Sequence, residues 1–268
     1  MPYAEVNDIR LYYEEEGQGE PLLLLHGALG AVDPAVSSGW VALRPALAAR
    51  YRTIALEHRG HGRTNNPAGR LSYAQITEDI AAFIEQLDIA PVHLAGFSDG
   101  ATIGLVLGMN RPALLRSLVC VGANYRIDDH LRQGLEFFDA AVLEQESPEF
   151  AAELARRHDA YHYPGYWRDL VGQVRANVET ELAWTEDDLR RIPVPTLLIM
   201  GEADFALSLD QMFEMRRSIP TSEMLILNHA GMDGLDNHRV QFTRADLVGP
   251  VILEFLDRHA GAAAVASA

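Results

Sequence analysis

The chain opens on an alternation of apolar and polar positions. In "AEVNDIRLYYEE" the two kinds trade places around an Asn7-Asp8 turn signal, which predicts a hairpin of two edge strands. "PLLLLHG" is instead a continuous apolar run ending on Gly27, as expected of a strand buried on both faces. "WVALRPALAARY" repeats apolar residues at helical spacing, and "RTIALEHRG" gives a further short strand running into a glycine-rich loop. "SYAQITEDIAAFIEQLDI" predicts a long amphipathic helix with Ser72 as its N-cap. "PVHLAGFSDGATIGLVLGMNRP" reads as strand, sharp turn and helix, stopped near Pro112, and "LRSLVCVGAN" is the next strand.

Strands that alternate with helices imply an α/β fold with a mostly parallel sheet covered on both faces. The alternation stops after Asn124. Residues 125–191 are helical, polar and rich in aromatics, and they predict an inserted helical cap over one end of the sheet. Strand and helix then resume with "VPTLLIMGEAD", "LSLDQMFEMRRSIP", "SEMLILNHAG" and "LVGPVILEFLDRHA". The predicted organisation is a core of residues 1–124 and 192–260, a cap of 125–191, and a flexible tail of small residues over 261–268.

The 268 residues suffice for one large core without disulfides or metals. The composition, 48% hydrophobic and 22% charged, is that of an ordinary globular protein. A net charge of −16 disfavours nucleic acid and anionic membranes as partners, because both demand Lys and Arg to displace counterions. Cys120 is the sole cysteine and lies in the apolar run "SLVCVGA", so it is expected to pack as a small buried hydrophobe. The first residues show neither a basic nor an apolar leader pattern, and no run reaches the ~18 apolar residues of a membrane span. The expectation is a cytoplasmic protein, monomer or homodimer, acting on a small molecule.

Three segments carry candidate chemistry. "GFSDG", residues 96–100, is a G-x-S-x-G between a strand and a helix. That placement suits a serine nucleophile: Ser98 projects from a tight turn, small neighbours permit the turn, and the following helix aims its positive end at the site. "HGALG" after the first buried strand offers a backbone N–H, assigned to Ala28, and the amide of Asp99 supplies a second donor for an oxyanion hole. "GEAD" places Asp204 at a strand's C-terminal end, where open α/β sheets build their sites. Ser98, then Asp204, then a base after the last strand is the order of roles in a hydrolase triad.

"LLLLHGAL", "EHRGHGRT", "HLAGFSDGA", "LVCVGAN", "TLLIMGEADF" and the last strand and helix together resemble the α/β-hydrolase fold superfamily, most closely small bacterial esterase-like members with a helical cap. The resemblance covers nearly the whole chain. It implies an eight-stranded, mostly parallel sheet flanked by helices, with Ser98 as nucleophile, Asp204 as triad acid, the Ala28 and Asp99 amides as oxyanion hole, and no external cofactor. A serine at the elbow speaks against the dehalogenase and epoxide-hydrolase branches, which place an aspartate there. "HRGHGRT", residues 58–64, holds two histidines three apart but no third ligand pattern, so it is read as a structural turn secured by Arg59 rather than a metal site.

One position departs from the resemblance. The family's last strand leads into a loop reading roughly Ala-Gly-His, and here it reads Ala230-Gly231-Met232. Methionine in the histidine slot cannot accept the serine's proton, and losing a triad member costs about 10⁶ in kcat. Three explanations stand: another histidine serves, His238 on a lengthened loop or His229 at the strand end; the fold binds a ligand or runs a non-hydrolytic reaction such as that of a lyase, a cyclase or a rearrangement; or the chain is an inactivated or engineered variant of a hydrolase. The loop "AVDPAVSSGW" looks stretched as well, and with the aromatic cap it suggests a pocket for a bulky apolar ligand, lined by Phe138, Tyr163 and Trp167. The leading expectation is a serine hydrolase of carboxylic esters or lactones acting through an acyl-enzyme on Ser98, with His238 as base.

Overall fold

The computed structural model describes residues 3–32 and 39–261. All of the tail predicted over 261–268 but its first residue, and most of "AVDPAVSSGW", therefore lie outside the described residues. Eight strands form one sheet: β1 (Tyr3–Val6), β2 (Ile9–Glu16), β3 (Pro21–Leu25), β4 (Arg52–Leu56), β5 (Val92–Phe97), β6 (Leu115–Val121), β7 (Thr196–Gly201) and β8 (Ser222–Leu227). Their spatial order is β1-β2-β4-β3-β5-β6-β7-β8. The pairs β1–β2 and β2–β4 are antiparallel, and the remaining pairs are parallel. The hairpin turns at Asn7, in a left-handed conformation at φ 49°. Of these two strands only β1 is an edge strand, however. The backbone of β2 pairs onward with β4, which the expectation of two edge strands missed.

Alternate residues of the central strands enter different apolar layers, as a strand buried on both faces requires. Leu23 and Leu25 of β3 pack with the helices α2 (Tyr73–Gln86) and α3 (Asp99–Asn110). Leu22 and Leu24 pack on the opposite side with Trp40, Leu47 of α1 (Arg44–Ala48) and the last helix, here named α12 (Ala245–Arg258). All four leucines are at most 1% exposed, and burying each contributes roughly 1.5–3 kcal/mol. The helical pattern around Pro45 yields only the five residues of α1. Trp40 before it is held by its indole N–H, which donates to Leu25 O at 2.9 Å. The helix α2 starts as its sequence predicts, with the Ser72 hydroxyl accepting from the Gln75 amide. Cys120 is buried in the α2–α3 layer.

Between β6 and β7 the chain forms α4 (Asp129–Gly134), α5 (Ala140–Glu146), α6 (Pro148–His158), α7 (Tyr166–Glu181) and α8 (Glu186–Leu189). These inserted helices are tied to the core by polar bonds. Tyr166 O–H donates to Gly60 O at 2.8 Å, and the Tyr73 amide donates to Asn177 Oδ1 at 3.2 Å. After β7 come α9 (Leu209–Ser218) and β8. The segment anticipated as a lengthened loop is two short helices, α10 (Gly234–His238) and α11 (Val240–Thr243). No described helix is long and apolar enough to cross a membrane.

Candidate active site

The strand order reverses at β3, because β4 lies on one side of it and β5 on the other. The loops after β3 and β5 leave the sheet side by side at this switch point, where α/β sheets bind ligands. Ser98, after β5, sits at φ 52°, ψ −119°, a strained conformation for a residue with a side chain. Its amide donates to Val121 O at 2.8 Å, which anchors the turn to β6. The glycines around it are steric necessities. A Cβ on Gly96 would stand 2.2 Å from Gly100 O, and one on Gly100 would stand 2.6 Å from His26 O. Gly27, across the gap, has no room either, since its Cβ would meet Ser98 Cβ at 3.0 Å. The close approach of the two loops is what brings Ala28 and Asp99 into one cavity wall with Ser98. Among the described residues, neither the Ala28 nor the Asp99 amide has a hydrogen-bond acceptor.

Asp204 follows β7 and is fixed by the amides of Ala206 and Leu207, which donate to its Oδ1 at 2.8 and 2.9 Å. The imidazole of His238 meets the same carboxylate: Nδ1–H lies 2.9 Å from each oxygen. The ring is buried and packed between Phe97 and Phe205, with centroid distances of 5.1 and 5.0 Å. Backbone sterics decide this meeting. Gly201 ends β7 without a side chain, and a Cβ there would sit 2.5 Å from Asn237 O, so α10 docks directly on the strand end. Asp233 caps α10 by accepting from the Asp236 amide. Gly122, at φ 65°, leaves room on the other side, where a Cβ would come within 2.8 Å of His238 Cε1.

Met232 is not where the family's loop pattern suggested. Its side chain is 99% exposed, and its amide is held by Asp236 Oδ2 at 3.2 Å, which turns the chain outward before α10 begins. Asp204 therefore has its histidine, supplied six residues later. His229 is exposed and takes no part.

The cavity over Ser98 has a volume of about 400 Å³, within the range of small-molecule sites. Core loops supply Ala28, Ser98, Asp99 and His238, and the inserted helices supply Leu135, Phe137, Phe138, Phe150, Val174 and Val178. Of the three aromatics expected there, Phe138 lines it. Trp167 does not, because it lies on the buried face of α7 and packs into the core. Tyr163 does not either: it is half exposed in the loop before α7, where its hydroxyl donates to Asp169 Oδ2. The aromatic count of the segment marked an apolar lining but could not sort pocket from core, since both bury rings.

The side chain of Asp99 was not foreseen as part of the site. Its carboxylate borders the cavity, and Oδ1 accepts from the Tyr73 hydroxyl at 2.7 Å. Desolvation pushes its pKa up to about 6, against the opposing influence of the Tyr73 hydrogen bond and of His238.

The "HRGHGRT" turn has a structural job. Arg59 is fully buried and makes a bidentate pair with Asp79 at 2.8 and 2.9 Å. His58 stacks on His26 at 3.9 Å, and His61 approaches both His26 and His158. Burial lowers the pKa of each of these rings, that of His61 to about 4.

Comparison with known proteins agrees with this fold. Residues 22–248 match the model of the alpha/beta hydrolase family. The candidate carbamate hydrolase RutD of Azorhizobium caulinodans is 31% identical over 223 residues, 76% of this chain and 81% of that protein. The 2-hydroxy-6-oxo-6-(2'-aminophenyl)hexa-2,4-dienoic acid hydrolase of Metapseudomonas resinovorans is 24% identical over 278 residues, covering 96% and 91%. Among solved structures, the meta-cleavage product hydrolase CumD of Pseudomonas fluorescens IP01 superposes with a TM-score of 0.77 at 21% identity, covering 96% of this chain and 97% of that one.

Proposed function

Because the chain belongs to the alpha/beta hydrolase family, we propose that it is a serine hydrolase acting on a carboxylic ester or lactone of a largely apolar small molecule. The observation that carries this reading is the buried contact of Asp204 with His238, a residue that lines the same cavity as Ser98. In the proposed reaction, His238 Nε2 takes the proton of Ser98 as Oγ attacks the substrate carbonyl. The Ala28 and Asp99 amides stabilise the resulting oxyanion. Collapse gives an acyl-enzyme while His238 returns the proton to the leaving alcohol, and water then repeats the sequence to release the acid. Asp204 holds the Nδ1–H tautomer, so that Nε2 is the nitrogen left to act as base.

Non-hydrolytic chemistry and an inactivated chain were suggested by Met232 alone. An exposed Met232 and a histidine on Asp204 remove that reason. The relatives' names range from a carbamate to a dienoic acid, so they do not choose the substrate.

The test is covalent labelling by a fluorophosphonate, together with ester kinetics of three variants. Ser98→Ala should abolish labelling, and Ser98→Ala and His238→Ala should each lower kcat by several orders of magnitude, up to about 10⁶. Met232→Ala, a change on an exposed side chain, should stay within about twofold. Full activity in Ser98→Ala would overturn the assignment.

A further inference from the structure

The proposed mechanism uses the backbone of Asp99 but not its side chain. That side chain is a carboxylate one residue from the nucleophile, in a cavity otherwise walled mostly by apolar groups. Polar and charged groups reach the cavity around it from three helices. From α2 the Tyr73 hydroxyl donates to Oδ1, and from α10 His238 faces the cavity while bonded to Asp204. From α6 Glu153 adds a second carboxylate, ion-paired with Arg157. The cation on the wall, Arg239, is paired with Asp236 at 3.0 Å. Among the described residues Asp99 Oδ2 has no hydrogen-bond partner, and it is open to the cavity, since it is not among the buried unpartnered atoms.

Resting on the hydrolase reading above, we propose that the Asp99 carboxylate is a specificity-determining charge filter, which admits uncharged or cationic esters to Ser98 and rejects those bearing a carboxylate. An anionic substrate would bring like charge into a desolvated space, where repulsion is poorly screened and where the cation among the described lining residues, Arg239, is already paired. This sets the chain apart from its relative in Metapseudomonas resinovorans, whose name gives a dienoic acid as substrate. The same carboxylate also explains why Tyr73, on a different helix, is turned toward the elbow. Its hydroxyl favours the ionised form of Asp99 and opposes the effect of burial.

The experiment uses three esters of one alcohol with acyl groups of matched size: a neutral chain, one ending in a carboxylate and one ending in an ammonium. At pH 8 the neutral and ammonium esters should exceed the carboxylate ester in kcat/KM by about tenfold or more, the scale of one unscreened like-charge contact. Asp99→Asn keeps the backbone amide and the side-chain volume. Whatever it does to the absolute rate, it should bring the neutral-to-carboxylate ratio close to one. The ratio should also shrink for the parent protein as pH falls through about 6, where Asp99 gains its proton. Tyr73→Phe removes the bond that favours ionisation, so that transition should move to higher pH. A ratio unchanged in Asp99→Asn, or a preference for the carboxylate ester, overturns the filter. Neither outcome touches the hydrolase reading, which stands or falls on Ser98→Ala with the neutral ester.

Discussion

At the scale of single residues, missing side chains shape the site as much as those present. Gly122 is the clearest case, because a methyl group there collides with His238 Cε1 at a backbone φ of 65° that already disfavours alanine. On the proposed mechanism, Gly122→Ala should therefore lower kcat far more than KM, by tenfold or more, because it displaces the His238 ring. Steady-state kinetics, with circular dichroism to confirm folding, will check it. Asp99 gives a second prediction, with a definite sign. Its folded pKa of about 6 lies above the ordinary 3.8, so the fold favours the protonated form. The stability this confers is present below about pH 4 and is lost as pH rises through 6. Asp99→Asn should accordingly raise Tm relative to the parent at pH 8, and the gain should vanish near pH 4. Ser98, Asp204 and the Ala28 and Asp99 amides were legible as candidates because tight turns and strand ends carry local signatures. The sequence could not show Gly122 or the Asp99 side chain as site residues, since their roles depend on contacts with residues far along the chain.

At the scale of elements, one joint between the inserted helices and the core is made by a neutral histidine, His158, and further buried histidines pack beside it. Gly62 N–H donates to His158 Nδ1 at 2.9 Å, and His158 Nε2–H donates to Leu29 O at 3.1 Å, so both nitrogens are committed in the uncharged form. His26 is likewise committed: Nδ1–H donates to Gly27 O, and Nε2 accepts from the His58 amide. These rings have folded pKa values below the ordinary 6.5, whereas the unfolded chain takes up its protons near 6.5. Stability is thus complete above that pH and falls on acidification, by up to about 1.4 kcal/mol per pH unit for each buried ring. Thermal unfolding should show a steep loss of Tm between pH 7 and 5. His158→Gln, whose amide both accepts and donates, should reduce that slope by about one proton. Arg59 holds a second joint, between the turn after β4 and α2. Arg59→Met strands the buried Asp79 carboxylate with only the Asn7 amide as donor and should cost roughly 3–5 kcal/mol in denaturant unfolding. The element pattern itself was largely readable. The shortfalls, a helix reduced to α1 and a loop that became α10 and α11, fall where packing rather than periodicity fixes the backbone.

At the scale of the whole molecule, a net charge of −16 gives the protein a negative long-range field. That field acts on approach and is screened by salt, unlike a desolvated contact inside the cavity. Raising the ionic strength should therefore increase kcat/KM for a carboxylate-bearing ester and decrease it for an ammonium ester, with the neutral ester as control. The part of the discrimination that survives high salt belongs to Asp99.

The order of apolar runs, glycines and turns determined by itself that the chain makes a mostly parallel sheet with an insertion after β6, and that Ser98 and Asp204 stand at its C-terminal edge. Such features are written in local periodicity and in conformations that only particular residues adopt. Which histidine meets Asp204 was decided by tertiary structure alone. Counting along the loop pointed to Met232, but the chain bulges outward there, and α10, admitted by the bare backbone of Gly201, delivers His238. A hydrogen bond between residues 34 positions apart is set by how two elements dock, and no spacing in the sequence encodes that.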